Sequence, residues 1–331
     1  MKKIILIILI FVGTMFTLCA QESQFSQFYS SPLYLAPSFA GGTDGDRISA
    51  NYRNQWPSIG NSFITYAFSY DHYFPHLKSG LGVLLFREQA GSGSLATTNF
   101  GFQYSYNIRI NEKWRMRPGL HFLYTQRSLD FNSLEFGDEL WRRLYGDNTN
   151  GTIEVPTITR KGDIDASASV LAHNDSYWVG FTMDHILKPN RSLIGDESNV
   201  PFKYTFFGGA KIPIMRIYNK PSGQSISPAY LFKYQDGRSQ LDLGCYWYQM
   251  PLVLGVWYRG IPVFKNNASN DAIAFLVAYK IHNLNLAYSY DFTISKLVGY
   301  TGGAHEISVI FLFNQGVTER ERRKPIPCPQ F

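Results

Sequence analysis

Short segments in which apolar and polar residues alternate recur along this chain from residue 47 to residue 313. In the segment 99–109 the apolar set is Phe100, Phe102, Tyr104, Tyr106 and Ile108, and the polar set is Asn99, Gly101, Gln103, Ser105, Asn107 and Arg109. A period of two puts the two sets on opposite faces of a β-strand. About ten residues per segment is enough for an inclined strand to cross the hydrocarbon layer of a membrane.

The segment 305–313 has the same pattern and ends in an aromatic residue. Its apolar side carries Ile307, Val309, Phe311 and Phe313, and its polar side carries Glu306 and Ser308. This arrangement is typical of the closing strand of an outer-membrane barrel, with lipid on one face and the lumen on the other. A strand of a soluble sandwich can alternate in the same way, so the interpretation depends on the repetition of the pattern.

We predict an all-β fold, a transmembrane outer-membrane β-barrel of about 14 antiparallel strands, and an even number agrees with bacterial single-chain barrels. The predicted strands are 47–56, 63–73, 79–88, 95–109, 113–127, 163–173, 176–185, 202–214, 226–236, 239–249, 251–260, 270–280, 283–292 and 304–313. With a periplasmic N-terminus, even-numbered connections should be tight turns and odd-numbered ones long outer loops. The connections 128–162 and 186–201 are the longest and fall on the outer side. A soluble all-β protein is the alternative, but it would expose aromatic residues at too many positions.

The first twenty residues have the pattern of a secretory signal peptide. Lys2 and Lys3 supply positive charge, residues 4–16 form an apolar run, and Ala20 is a small residue before the expected cleavage point at Gln21. The run is shorter than the ~20 residues of a membrane-spanning helix. A lipid anchor on Cys19 is disfavoured because the large Leu18 precedes it. The predicted divisions are a signal peptide at 1–20, a periplasmic or lumenal segment at 21–46, the barrel at 47–313 and a periplasmic tail at 314–331.

Composition supports a barrel. The chain has 22 Tyr and 25 Phe among 331 residues, only 17% of its residues are charged, and no second long apolar stretch indicates a helical membrane protein. The net charge of +6 is mild and lacks the clustered basic face that binds nucleic acid. Cys245 and Cys328 are the only cysteines after the predicted signal, so no disulfide framework is expected.

Several motifs occur in a fixed order along the chain. They are Gln24-Phe-Ser-Gln-Phe-Tyr29, Leu33-Tyr34, Pro37-Ser-Phe-Ala-Gly41, Tyr52-Arg-Asn-Gln-Trp56, Gly80-Leu-Gly-Val83, Tyr290-Asp291, Gly303-Ala-His-Glu-Ile-Ser308 and Cys328-Pro-Gln-Phe331. This set resembles the PorP/SprF family of outer-membrane proteins over essentially the whole mature chain. Ser38 and Phe39 stand where the family pattern has Ala and Tyr.

The resemblance implies a barrel of the type IX secretion and gliding-motility machinery, located in the bacterial outer membrane, without enzymatic activity and without a cofactor. Members that resemble SprF support export or surface anchoring of a large adhesin. The implied partners are therefore outer-membrane lipid, the secretion or gliding components and the C-terminal region of a large secreted surface protein. The motifs leave the PorP-like and SprF-like branches open. A general porin or apolar-solute transporter is the alternative function.

Catalytic patterns are weak. Asp71-His72 and Asp184-His185 are adjacent pairs, but neighbours on a strand point to opposite faces and cannot form an acid–base couple.

Charged residues of the strands are expected in the lumen, because an Arg facing lipid at the membrane midplane costs about 2–4 kcal/mol. The candidate lumen residues are Arg47, Arg53, Gln55, Arg115, Arg117, His121 and Arg127, and the acidic candidates are Asp71, Asp165, Asp242, Asp291 and Glu306. They either brace the interior through ion pairs or form a site for a partner segment or a solute.

Two further segments are candidates for protein contacts. A short helix in the loop 128–162 would place Leu140, Trp141, Leu144 and Tyr145 on one side, either against the barrel or toward a partner. The tail mixes charges with prolines and is either a solvated end or a periplasmic docking segment. Its candidate docking residues are Arg320, Arg322, Arg323, Lys324 and Cys328.

Overall fold

A computed structural model describes residues 23–43, 45–60, 62–91, 95–134, 136–145, 158–193, 195–214, 216–217, 220–221, 224–261, 271–295, 298–314 and 326–328. Fourteen long strands form the wall: β1 (Asp46–Gln55), β2 (Phe63–Phe74), β3 (Ser79–Ala90), β4 (Leu95–Tyr106), β5 (Arg115–Ser128), β6 (Arg160–His173), β7 (Tyr177–Asp184), β8 (Lys203–Ala210), β9 (Gln224–Gln235), β10 (Arg238–Gln249), β11 (Leu252–Ile261), β12 (Ala272–Ile281), β13 (Leu284–Thr293) and β14 (Ala304–Phe313). Two-residue strands occur at 108–109, 212–213, 216–217 and 220–221. The α-helices among these described residues are α1 (Pro32–Leu35) and α2 (Gly137–Leu144), and 3₁₀ turns occur at Pro37–Phe39 and Phe131–Ser133.

Each long strand pairs antiparallel with its neighbours in the sequence. The sheet closes because β1 also pairs with β14, from Asp46–Phe313 to Gln55–Ala304. Closure satisfies the backbone groups of both edge strands, which a wall inside lipid requires. The predicted barrel of about fourteen strands is confirmed.

Side chains alternate between the two faces of the wall as the sequence predicts. On β14, Glu306 and Ser308 are buried in the interior, whereas Ile307 and Phe311 are exposed on the outside. On β4, the outward set Phe100, Phe102, Tyr104 and Tyr106 is exposed. The outer face is therefore apolar and aromatic. None of the described helices is long and apolar enough to span a membrane.

The two ends of the barrel differ in their connections. The chain enters β1 and leaves β14 at one end, which we call the terminal end, and the connection 174–176 there is tight. The opposite end, which we call the loop end, carries the longest connections, 129–159 and 185–202. Its shortest connection is Asp236-Gly237, where positive φ values of 48° and 75° form a two-residue hairpin turn.

Residues 23–43 lie inside the barrel, and we call them the plug. Every residue from Phe25 to Thr43 is buried except Tyr34, which is partly buried. Pro32 begins α1 and Pro37 begins the 3₁₀ turn, since a proline is tolerated at the first helical position. The segment therefore folds as short turns and fills the space between the strands.

Candidate functional site: the plugged lumen

Glu306 of β14 holds the start of the plug. Its Oε2 accepts the backbone N–H of Ser26 at 2.7 Å, and its Oε1 accepts the backbone N–H of Gln27 at 3.0 Å. The Gln27 side chain donates to Ser289 Oγ at 3.0 Å and accepts from Ser308 Oγ at 2.6 Å. One buried carboxylate thus fixes the backbone of two successive plug residues.

Two arginines complete this contact. Arg53 of β1 reaches Glu306 Oε2 at 3.1 Å and Asp291 Oδ2 at 2.8 Å. Arg259 of β11 reaches the same Asp291 oxygen at 2.8 Å, and both guanidinium groups donate to Ser26 Oγ, at 2.8 and 2.7 Å. Arg259 also pairs with Asp271 at 3.1 Å. Two cations therefore face three carboxylates, which matters because a buried charge without a partner is strongly destabilising. We call Arg53, Arg259, Asp291, Glu306 and Ser26 the latch.

A second set of contacts holds the other end of the plug. Arg117 of β5 donates from Nε to the carbonyl of Ser38 at 3.0 Å. Arg47 of β1 donates to the carbonyl of Phe39 at 3.1 Å and pairs with Asp71 at 2.8 Å. The latch lies toward the loop end and these contacts lie toward the terminal end, so the plug spans the height of the barrel.

Glycines in the wall allow the plug to approach it closely. A Cβ on Gly119 of β5 would lie 2.4 Å from the backbone nitrogen of Ser38. A Cβ on Gly80 of β3 would lie 2.0 Å from the carbonyl oxygen of Ala40. Glycine at these two positions is therefore required for backbone-to-backbone contact.

Aromatic side chains of the plug pack against the opposite wall. The rings of Phe28 and Trp257 meet edge to face with centroids 4.7 Å apart, and Trp178 Nε1 donates to the Tyr29 hydroxyl at 2.9 Å. The same apolar cluster includes Leu33, Phe39, Leu171, Phe207, Leu231 and Tyr246.

The C-terminal part of the chain returns into the barrel. Ile326 and Cys328 are only 3% and 6% exposed and belong to the apolar cluster of the plug. A Cβ on Gly42 would lie 2.8 Å from Ile326 Cδ1, so this segment packs directly on the plug. The sequence predicts Cys328 in a solvated or docking tail. In the structure its side chain is buried in this apolar cluster.

Only some of the predicted lumen residues contact the plug directly. They are Arg47, Arg53 and Arg117. Gln55 accepts a hydrogen bond from Arg53 at 3.2 Å and therefore supports the latch. Arg127 donates to the carbonyl of Arg191 in the connection between β7 and β8, at 3.0 Å. His121 is buried within β5, and Arg115 is partly buried at the terminal end.

Sequence reasoning missed Arg259, Ser26 and Gln27 as site residues. Arg259 lies an even number of residues from Val253 and Trp257 on the same strand and therefore on the same inward face. The alternation along the strand could have identified it as a lumen residue. Ser26 and Gln27 were noted only as part of the family motif. The adjacent Asp–His pairs do not form, since Asp71 pairs with Arg47 and His185 Nδ1 lies 2.6 Å from Asp165 Oδ2.

The predicted apolar face of the loop helix is present and exposed. The exposed fractions are 49–73% for Leu140, Trp141 and Leu144 of α2 and for Tyr145, which directly follows the helix. The rings of Trp141 and Tyr145 stack with centroids 3.9 Å apart. The predicted docking residues Arg320, Arg322, Arg323 and Lys324 lie outside the described residues, as do Ala20 and Gln21 at the predicted cleavage point.

A closed barrel with an aromatic outer face and charges only sparingly exposed to lipid defines an outer-membrane β-barrel protein. The toluene transporter TbuX of Ralstonia pickettii has this fold, with a TM-score of 0.51 and 12% identity over 86% of this chain and 94% of that chain. The P. putida toluene transporter TodX has a TM-score of 0.49 and 11% identity, over 83% of this chain and 91% of that chain. The Acinetobacter baumannii outer membrane protein Omp33 has a TM-score of 0.46 and 7% identity, over 82% of this chain and 100% of that chain. At these identities the likeness concerns the fold alone.

The particular family follows from the sequence. The family described as Type IX secretion system membrane protein PorP/SprF matches residues 18–311, and the chain belongs to it. The predicted family and the outer-membrane location are thereby confirmed. No curated protein matches the chain.

Proposed function

We propose that this protein is a non-enzymatic barrel of the type IX secretion or gliding machinery that acts through protein contacts at its two ends. The observation that carries the proposal is the plug. A solute channel needs a continuous aqueous path, whereas here residues 25–43 pack against the strands and are held by the latch on β1, β11, β13 and β14. The filled lumen disfavours a general porin.

The exposed face of α2 is the proposed contact for the C-terminal region of a large surface adhesin. Trp141, Leu144 and Tyr145 offer a contiguous apolar surface at the loop end, and aromatic residues often dominate binding energy at interfaces. Asp138 and Arg142 form an ion pair at 2.6 Å on the same helix, which keeps its other side polar. Export or anchoring of the adhesin would then depend on this face. At the terminal end, the tail would meet periplasmic components.

The test measures surface display of the adhesin on intact cells, by antibody binding, together with ion conductance of the purified protein in planar bilayers. Wild type should show display without steady conductance. The triple variant W141A/L144A/Y145A should lose display while keeping normal barrel levels. Leu77→Ala, an exposed apolar residue at the terminal end, serves as the matched control and should behave as wild type. Steady conductance of the wild type with unchanged display in the triple variant would instead support the transporter.

A further inference from the structure

The outer face of the barrel carries an apolar groove of about 410 Å³ that crosses β14, β1, β2 and β3. It lies over the seam at which β14 and β1 close the sheet. Its floor is Ala50, whose neighbours in the same row of the sheet are Val309 on β14 and Phe68 on β2, followed by Leu85 on β3. A small side chain among large ones produces the depression.

One row nearer the loop end, the groove meets a cation. Pairing places Ile307, Tyr52, Tyr66 and Arg87 side by side on β14, β1, β2 and β3. Arg87 is exposed on the outward face, and the structure records no hydrogen bond or ion pair to its guanidinium among the described residues. An arginine on a lipid-facing surface is unfavourable at the membrane midplane and tolerated near the headgroups.

The next row toward the loop end is polar. It contains His305, Asn54 and Gln89, with Ile64 between the last two. The outward face therefore changes from apolar to polar directly beyond Arg87. In outer-membrane barrels the long loops face outside, so this boundary is at the headgroups of the outer leaflet.

We propose that the groove binds one anionic lipid of the outer leaflet, with an acyl chain over Ala50 and a headgroup phosphate on Arg87. A guanidinium group binds phosphate through paired, charge-assisted hydrogen bonds. The walls formed by Phe68, Leu85 and Val309 match an acyl chain, and the volume lies within the range of small-molecule sites, roughly 300–1,000 Å³. A lipid without phosphate would fill the groove and leave the guanidinium without an anion. The inference uses the outer-membrane location and is independent of the proposed function.

The test uses native mass spectrometry of the purified full-length protein after exposure to lipid A, which carries phosphate, or to dephosphorylated lipid A, which has the same acyl chains and no phosphate. Wild type should retain lipid A roughly tenfold better than the dephosphorylated lipid. Arg87→Gln, and Ala50→Phe, which fills the floor, should each lose most of this retention. Matched controls are Arg109→Gln, an exposed arginine at the terminal end, and Ala168→Phe, an outward alanine on β6.

Equal retention of the two lipids by wild type, or equal retention of lipid A by wild type and Arg87→Gln, would overturn the proposal. Loss of a co-purifying membrane protein from Ala50→Phe with lipid A retention unchanged would also overturn it and identify the groove as a protein interface. Heat-modifiable migration on gels confirms that each variant is folded. If Ala50→Phe fails to fold, Arg87→Gln and its control still decide the outcome.

Discussion

The backbone N–H of Ser26 donates to Oε2 of Glu306 at 2.7 Å, across 280 positions of the sequence. This bond joins the start of the plug to the last strand of the barrel. Glu306 also pairs with Arg53 across the seam at which β14 meets β1. The latch therefore joins the plug to the strands that close the barrel and depends on the residues that line this seam.

Glu306→Ala should release the start of the plug. The change removes one of the carboxylates that pair with Arg53 and removes the acceptor of two backbone N–H groups. Breaking a buried ion pair lowers the free energy of unfolding by about 3–5 kcal/mol. We expect the variant to unfold at a lower temperature, measured as the temperature at which half of the protein loses heat-modifiable gel migration. Glu112→Ala, an exposed carboxylate in a turn, is the control and should match wild type. An unchanged unfolding temperature for Glu306→Ala would contradict the latch.

Gly119→Val should displace the terminal-end part of the plug without removing a wall strand. The added side chain would overlap the backbone of Ser38, which lies 2.4 Å from the position of a Cβ. The readout is a Ser38→Cys reporter in a background with Cys245 and Cys328 replaced by Ser. Its reaction with a maleimide should be slow when Gly119 is retained and fast in the Gly119→Val variant. Gly60→Val, where the added Cβ meets nothing within 4 Å, should leave the reporter protected.

The strands were predictable because each of them separates lipid from the lumen. Apolar and polar residues therefore alternate along every strand. The predicted ends of the strands were wrong where local contacts interrupt the pairing. The predicted strand 202–214 is divided, since β8 ends at Ala210 and a two-residue strand follows at 212–213, where Ile212 pairs with Ile226 of β9.

The plug could not be predicted in the same way, since residues 23–43 have no period and are buried through partners on distant strands. Arg53, Asp291 and Glu306 were expected in the lumen, yet their common partner Ser26 carries no charge that would reveal the contact. The buried position of Cys328 also follows from packing against the plug and not from the charged sequence that precedes it.

Phe313→Ser should reduce the level of assembled barrel in the outer membrane. Phe313 ends β14, and its ring stacks on Phe311 at 5.7 Å and on Tyr70 at 6.4 Å, on the outward face. Phe331→Ser is the matched control, because it replaces an aromatic residue that follows the last strand in the sequence. The measurement is the heat-modifiable band in isolated outer membranes. Equal amounts of the two variants would argue against the role of Phe313 in assembly.

Ile326→Asp should expel the C-terminal segment from the barrel. An aspartate cannot be buried in the apolar cluster without a partner, so the segment should leave and expose the Cys328 thiol. In a background with the exposed Cys245 replaced by Ser, a maleimide should therefore label Cys328 faster in this variant than in the protein that retains Ile326, in detergent. Val298→Asp, an exposed position in the connection between β13 and β14, is the control. Rapid labelling of Cys328 in the wild type would mean that the segment is not held inside.

The start of the plug should be accessible from outside the cell. Gln24 accepts a hydrogen bond from Lys233 at 2.7 Å and donates to Gln240 at 3.1 Å, and both partners lie beside the loop-end turn Asp236-Gly237. In a cysteine-free background, an impermeant maleimide should label Ser23→Cys on intact cells, as it labels the exposed loop residue Tyr300→Cys. His76→Cys, in a terminal-end turn, should react only after the outer membrane is permeabilised. Labelling of His76→Cys but not of Ser23→Cys on intact cells would show that the terminal end faces outward, because the two positions lie at opposite ends of one closed barrel.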